Sequence, residues 1–471
     1  MKKIVYILLL CLTVVSCIED GFTSSPSDQP VFSTDTLDMG VVFTEEVTTT
    51  RRFVVHNPYS KQLSISSIRL SGDYAECFRL NVDGIGGIAF QNVDIRGKDS
   101  VFVFVEATFP AGIKPQTTYK AQVDFTTNGV TNSVVLTATG QNVRRLQGLV
   151  LEEDTNFDAE LPYQIFDSLV VSPGVRMTVT PGTQLLFHDK AALVVRGTLD
   201  CRGTVDEPVV LAGDRTGNVV ADISFDLMSR QWDGVYFVRT SKDNTLVNTV
   251  VKNTWSGVAI QGDGSGVYDE PQLTMLNCRL RNSGDRVFEA YHSYVRAVGC
   301  EFAEAAFGLV YLEGGRHVFN HCTFANQYLF AAVSGPAIQL SHLSDDIWTD
   351  DGTDLPYIQA EITNSILWGY GGDVAPGDLT GSEVFFRSCM LKSKGEDDDN
   401  FIACLWNADP EFYTVRSDYL FDYRLKPESP AIGMADSALT LPEATTDGYG
   451  LPRTEPADLG AYVFTAPEEE K

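Results

Sequence analysis

From Asn277 to Phe324 the chain repeats one short phrase three times: Asn277-Cys278-Arg279-Leu280, Gly299-Cys300-Glu301-Phe302 and His321-Cys322-Thr323-Phe324. The cysteines stand 22 residues apart. A fixed short period predicts stacked coils, each burying its apolar side against the next. Side chains of an extended segment alternate, so each Cys and the residue two further on share a face and point inward. Asn364-Ser365-Ile366-Leu367 and Ser388-Cys389-Met390-Leu391 continue the phrase, with Ser replacing Cys once. The 67 residues from Cys322 to Cys389 correspond to about three coils of this pitch. Two interior columns follow: Cys278, Cys300, Cys322, Ser365 and Cys389, and beside them Leu280, Phe302, Phe324, Leu367 and Leu391. A polar turn column holds Asn282 and Asn326 and is interrupted at Glu304 and Gly369; Asn253 is expected at the corner equivalent to Asn282.

The earlier part of the chain alternates differently. Arg52 to His56, Leu63 to Ile65, Val101 to Val105, Ala121 to Phe125 and Ser133 to Thr137 read as short strands separated by turn residues. Together they predict an antiparallel sandwich of about seven strands between Phe32 and Gly140. Beyond residue 160, β-branched runs are broken by Gly or Pro-Gly, as in Met177-Thr178-Val179-Thr180-Pro181-Gly182-Thr183 and Val194-Val195-Arg196-Gly197-Thr198-Leu199. Glycine supplies the backbone angles that tight corners need.

Several phrases resemble known families. Leu37-Asp38-Met39-Gly40, Val55-His56-Asn57-Pro58 and Leu136-Thr137-Ala138-Thr139-Gly140 look like immunoglobulin-like domains of the abnormal-spindle and hydin type. The Pro-Gly-Thr and Gly-Thr-Leu phrases resemble the first coils of bacterial right-handed parallel β-helix proteins. Asp409-Pro410-Glu411-Phe412, Ser429-Pro430-Ala431-Ile432-Gly433 and Asp458-Leu459-Gly460-Ala461-Tyr462 resemble the C-terminal segment that closes the open end in bacterial surface β-helix proteins. The expected fold is all-β: an N-terminal immunoglobulin-like β-sandwich (residues 31–143), a right-handed parallel β-helix (144–400) and a C-terminal cap (401–471).

The first residues change the picture of location. Met1-Lys2-Lys3 and the apolar run Ile4 to Val15 have the charge and length of a signal peptide, too short to span a membrane. Val14-Val15-Ser16-Cys17 resembles the lipobox of bacterial lipoproteins, which implies cleavage before Cys17 and a lipid anchor on its thiol. Residues 1–17 are then leader and lipobox, and 18–30 a tether. Ile18-Glu19-Asp20 resembles the acidic export signal of Bacteroidetes-type lipoproteins, which implies the outer membrane and the cell surface.

A net charge of −28 argues against nucleic acid as a partner and against direct adhesion to anionic lipid, since both require a basic face. The nine cysteines suit an exported protein, yet in-register stacking sets their Cβ vectors side by side, which favours free buried thiols over disulfides.

Candidate chemistry is sparse. Trp255, Tyr291, Tyr294, Tyr311 and Trp348 form an aromatic platform for sugar rings if they face outward on adjacent coils. Asp345, Asp346, Asp350 and Asp351, with Asp354, are oxygen-rich and suit calcium, while Glu396 to Asp399 form a second acidic run. His317 and His321 share a face if extended, but no third zinc ligand accompanies them. The leading expectation is a lipid-anchored envelope protein whose β-helix binds polysaccharide or a surface protein without catalysis. The alternative is a polysaccharide lyase or glycoside hydrolase using carboxylates such as Asp345 and Asp346. Fold alone does not choose between them.

Overall fold

The computed structural model describes residues 21–220, 223–263, 265–341, 358–377, 379 and 381–466. Cys17, Asp345, Asp346, Trp348, Asp350, Asp351 and Asp354 lie outside the described residues. Two compact units divide between Val143 and Arg144.

The first unit is a sandwich of two five-stranded sheets. It holds ten strands where the sequence suggests about seven, because short segments such as Val31–Phe32 and Ile85–Gly87 pair at sheet edges without strong alternation of their own. Alternating positions fill one core, including Phe53, Val55, Ile65, Val103, Val123 and Leu136. Asn57 is fully buried and its amide donates to the carbonyls of Lys61, Ile95 and Arg96, satisfying a loop that would otherwise leave buried acceptors unpaired.

The second unit is a parallel solenoid with three faces. Face 1 includes Leu273–Leu276, Tyr294–Val298, Arg316–Asn320, Gln359–Thr363 and Glu383–Arg387, paired in register. Face 2 includes Arg279–Ser283, Glu301–Ala305, Thr323–Asn326 and Ile366–Gly369. Face 3 includes Val258–Gln261, Phe288–Tyr291, Val310–Glu313 and Ile338–Ser341. Faces 2 and 3 both begin from Arg144–Leu151, which pairs along its length with Tyr163–Val171, whose two halves then pair with different strands.

Leu280, Phe302, Phe324, Leu367 and Leu391 are register partners in one continuous inward column. Cys322 and Cys389 are two coils apart rather than three, because residues inserted after Asn326 and Ser341 lengthen the coil that ends at Ser365. The solenoid also runs slightly past the expected boundary at residue 400: Phe401–Ile402 pairs with Phe386 and Arg387, and Leu405 bridges to Met390.

The corner from face 1 to face 2 explains the repeated phrase. Its first residue has positive φ in each coil from Asn244–Val247 onward: Asn248, Asn277, Gly299, His321, Asn364, Ser388 and Ala403. At Gly299 an added Cβ would meet Asn277 Oδ1 at 2.2 Å, so glycine meets both demands there. The next residue then donates its side-chain hydrogen to the carbonyl two residues back. Thr249 Oγ1 and Ser365 Oγ do so at 3.0 and 2.8 Å. Cys278 and Cys300 do so at 3.4 Å, Cys322 and Cys389 at 3.5 Å and Cys404 at 3.7 Å. Thr, Ser and Cys are interchangeable there because each is a small donor. All seven described cysteines are free.

The C-terminal residues close the last coil and then turn back along the flank. Met434, Asp436, Leu439, Leu441 and Glu443 meet successive coils in reverse order, bonding Ser388, Asn364, Asn320 and Arg296. Their apolar partners Phe412, Tyr423, Leu425, Leu459 and Tyr462 pack on Ala303, Ala325, Ile366 and Met390, the apolar ones among the outward positions of face 2. These outward residues are apolar, so the flank needs cover as much as the open end does.

Two buried carboxylates fasten this cover. Glu301 accepts from Tyr462 Oη at 2.6 Å and pairs with Arg281. Glu304 accepts from Tyr423 Oη and, at 3.1 Å, from Gln327 N. Burial pushes the Glu304 carboxyl up to about 7. The folded chain therefore holds a proton there that the unfolded chain releases near pH 4.5, so this group makes stability fall as pH rises from about 4.5 to about 7. Burial lowers His317 to about 4 and, with the Arg453 guanidinium beside it, His321 to about 3, so both make stability fall as pH drops below 6.5. Glu304→Gln keeps an acceptor for both donors. It is expected to raise stability by about 3 kcal/mol at pH 8 and to leave it unchanged near pH 4. Denaturant unfolding across this range checks it, and an equal effect at both pH values would contradict a protonated Glu304.

Candidate binding face

Face 3 carries the surface with the most recognisable chemistry. Strand alternation turns Val258, Phe288, Val310 and Ile338 inward, so their neighbours point out. Register places Tyr236, Ala259, Glu289, Tyr311 and Gln339 in one outward column. Gln261, Tyr291, Glu313 and Ser341 form the second. Successive rungs of such a ladder stand about 4.8 Å apart.

The columns are cross-braced. Tyr291 and Tyr311 contact each other at 5.6 Å between ring centroids, inclined at 60°. Tyr291 Oη donates to Glu289 Oε2 at 2.9 Å, and Tyr311 Oη donates to Glu313 Oε2 at 2.6 Å. Burial and then the neighbouring carboxylate push the Tyr311 hydroxyl up to about 12, so it remains a donor. The same two causes, with Glu289, raise Tyr291. Arg286, on the corner leading into this face, bonds Glu289 Oε1 at 2.9 Å and Gln339 Oε1 at 3.0 Å. Its guanidinium also lies over Phe307 at 4.6 Å and Tyr311 at 5.1 Å. Aromatic surface, fixed carboxylates and a fixed guanidinium thus share adjacent rungs.

The aromatic residues singled out in the sequence separate into three settings. Tyr291 and Tyr311 come together. Trp255 stands on the corner entering the face, 52% exposed, with Arg230 over its ring at 4.6 Å. Tyr294 is only 7% exposed, because the chain turns at His292 and puts it at the start of face 1, with Arg316 over its ring at 4.8 Å. Arg286, Glu289, Glu313 and Gln339 were not singled out, although counting by twos from Tyr291 and Tyr311 reaches both glutamates.

The other candidates take structural roles. His317 is fully buried in face 1, bonded to Gly314 O at 2.7 Å, whereas His321 sits at a left-handed corner bonded to Thr440. The corner breaks the alternation that would put them together. Asp397 accepts from Trp406 Nε1, Ala403 N and Cys404 N, and Asp398 from Asn400 N and Phe401 N, so the second acidic run fastens a loop. Among the described residues no group of three or more His, Cys, Asp or Glu is placed to hold a metal ion.

No family model matches the chain, and no curated protein matches it. Among solved structures it is similar over 26% of its length to a family 123 glycoside hydrolase from Clostridium perfringens, at 13% identity and a TM-score of 0.18. It spans about a quarter, 25%, of that hydrolase. It is also similar over 27% of its length to the ASH/PapD-like domain 7 of human CEP192, covering 94% of that domain at 12% identity and a TM-score of 0.18. At scores this low the architecture rests on the strand pairing above and not on either likeness.

Proposed function

We propose that this is a lipid-anchored protein of the bacterial cell envelope whose solenoid binds glycan along face 3. The observation that carries this reading is the pair Tyr291 and Tyr311 on adjacent rungs, each hydroxyl fixed to a carboxylate of its own strand. Tyrosine rings offer apolar surface to the C–H side of a sugar, and fixed carboxylates and guanidinium offer partners to its hydroxyls. An array repeated by the rung spacing suits a chain-like ligand. The lyase and hydrolase alternative gains no support from face 3, where Glu289 is paired with Arg286 and both glutamates accept from tyrosines.

A glycan array probed with the full chain tests the reading. Oligosaccharide binding without product release is expected, and Tyr311→Ala is expected to weaken it about tenfold or more, consistent with the loss of one aromatic contact and one hydrogen bond. Unchanged binding in Tyr311→Ala would remove face 3 as the binding surface, and cleavage of a bound glycan would replace binding by catalysis. The anchor has its own test. Cys17→Ala is expected to move the protein from the membrane fraction to the soluble fraction, since acyl chains supply the durable attachment; continued partition with lipid would exclude Cys17 as the anchor. Among the described residues no helix is long and apolar enough to cross a membrane.

A further inference from the structure

Where face 3 ends, the chain turns through His292 and Ser293 to Tyr294, and these three residues line a cleft of about 500 Å³. Its other wall is the loop leaving Gly262, which includes Tyr268 and returns at Gln272. The loop is held in place: Gln272 Nε2 donates to Ser241 O and to Gln261 O, both at 2.9 Å, joining two coils. Gly262 permits the close approach, since an added Cβ would meet His292 O at 1.7 Å.

Residues lining the cleft carry buried polar atoms that make no hydrogen bond. His292 is 5% exposed and neither ring nitrogen makes a hydrogen bond; the nearest carboxylate oxygen, Glu313 Oε1, is 3.6 Å from Nε2. Ser293 Oγ, in a residue 1% exposed, and Tyr268 Oη are also buried without a hydrogen-bond partner. Buried polar atoms are overwhelmingly paired in folded proteins, and four orphans in three residues lining one cleft point to a polyhydroxyl ligand. The charges around them are mixed, Arg239 and Lys242 against Asp243, Asp263 and Glu270, which suits a neutral ligand better than an ionic one.

We propose that this cleft seats one neutral sugar residue, the end or a branch of the glycan lying on face 3. Its hydroxyls bond His292, Ser293 and Tyr268, beside the ring of Tyr294. This rests on the reading of face 3 as a glycan surface, from which it is separable by experiment. Tyr291 lies on the face and His292 lines the cleft, so adjacent residues link the two.

The probes are the methyl glycosides of glucose, galactose, mannose and N-acetylglucosamine, titrated into the full chain and followed by saturation-transfer NMR. At least one is expected to bind, with affinity reduced about fivefold or more by Tyr268→Phe and by Ser293→Ala, each of which removes only a hydroxyl. Because those hydroxyls have no partner in the protein, both variants are expected to fold as the parent does. Tyr311→Ala is expected to leave these monosaccharide affinities unchanged. If no glycoside binds, or if both hydroxyl variants bind like the parent, the cleft holds water only and the proposal is overturned. Oligosaccharide binding lost in Tyr311→Ala alongside indifference to monosaccharides would keep face 3 and discard the cleft. Monosaccharide binding lost in Tyr268→Phe with oligosaccharide binding intact in Tyr311→Ala would do the reverse.

Discussion

Phe302→Ala is expected to destabilise the solenoid by about 3–5 kcal/mol, the range for emptying a fully buried phenylalanine site. The ring is inaccessible to solvent and stacks on Phe324 with centroids 5.0 Å apart and planes 8° from parallel. Phe288 and Phe319 meet it edge-on at 6.0 and 5.7 Å. Three aromatic neighbours on this and adjoining coils lose a partner at once, and the backbone ladders on either side limit their collapse into the void. Denaturant unfolding followed by far-ultraviolet circular dichroism measures the cost. A change below about 1 kcal/mol would mean that the inward column carries little of the stability.

Glu301→Ala is expected to cost a similar amount, about 3–5 kcal/mol, by a different route. The carboxylate is 1% exposed and is shared by Arg281 on its own face and Tyr462 on the returning C-terminal residues. Removing it leaves a guanidinium and a phenol facing each other in a buried site, and an unpaired buried charge is far costlier than the pair was worth. Tyr462→Phe separates the two effects, since it deletes one hydrogen bond to a charged group and is expected to cost about 1.5–3 kcal/mol. Limited proteolysis gives the location: the alanine variant is expected to be cut first between residues 409 and 466, with the coils left intact. Uniform protection of that stretch would show that the flank is held by its apolar contacts alone.

The coils were readable because one physical demand recurs at one place in each. A left-handed corner wants Asn or Gly, the following position wants a small donor, and the position two beyond it wants a large apolar group. Cys278, Cys300 and Cys322 meet that demand with the same residue, so the eye finds them; Thr249 and Ser365 meet it with others and are harder to see. Spacing misled between Cys322 and Cys389, since inserted residues add length without adding a rung. The flank was unreadable for a related reason. Ala303, Ala325, Ile366 and Met390 are apolar on the outward side of face 2, but next to inward Phe302, Phe324, Leu367 and Leu391 they merge into runs with no visible period. On face 3, the aromatics were found by residue type. Their grouping was not, because it depends on which corner falls between Tyr291 and Tyr294.

The two-residue bend between faces 1 and 2 keeps the same length in every coil from Leu273 to Leu391, while the connections after Gln261, Asn326 and Ser341 are longer. The returning C-terminal residues lie along that bend and bond it coil by coil, so an extra residue in one turn would displace it from the strap. Growth is thereby steered to the opposite edges. Such a molecule can acquire new loops beside face 3 over evolutionary time, or at an engineer's hand, while the strapped edge stays a fixed ruler.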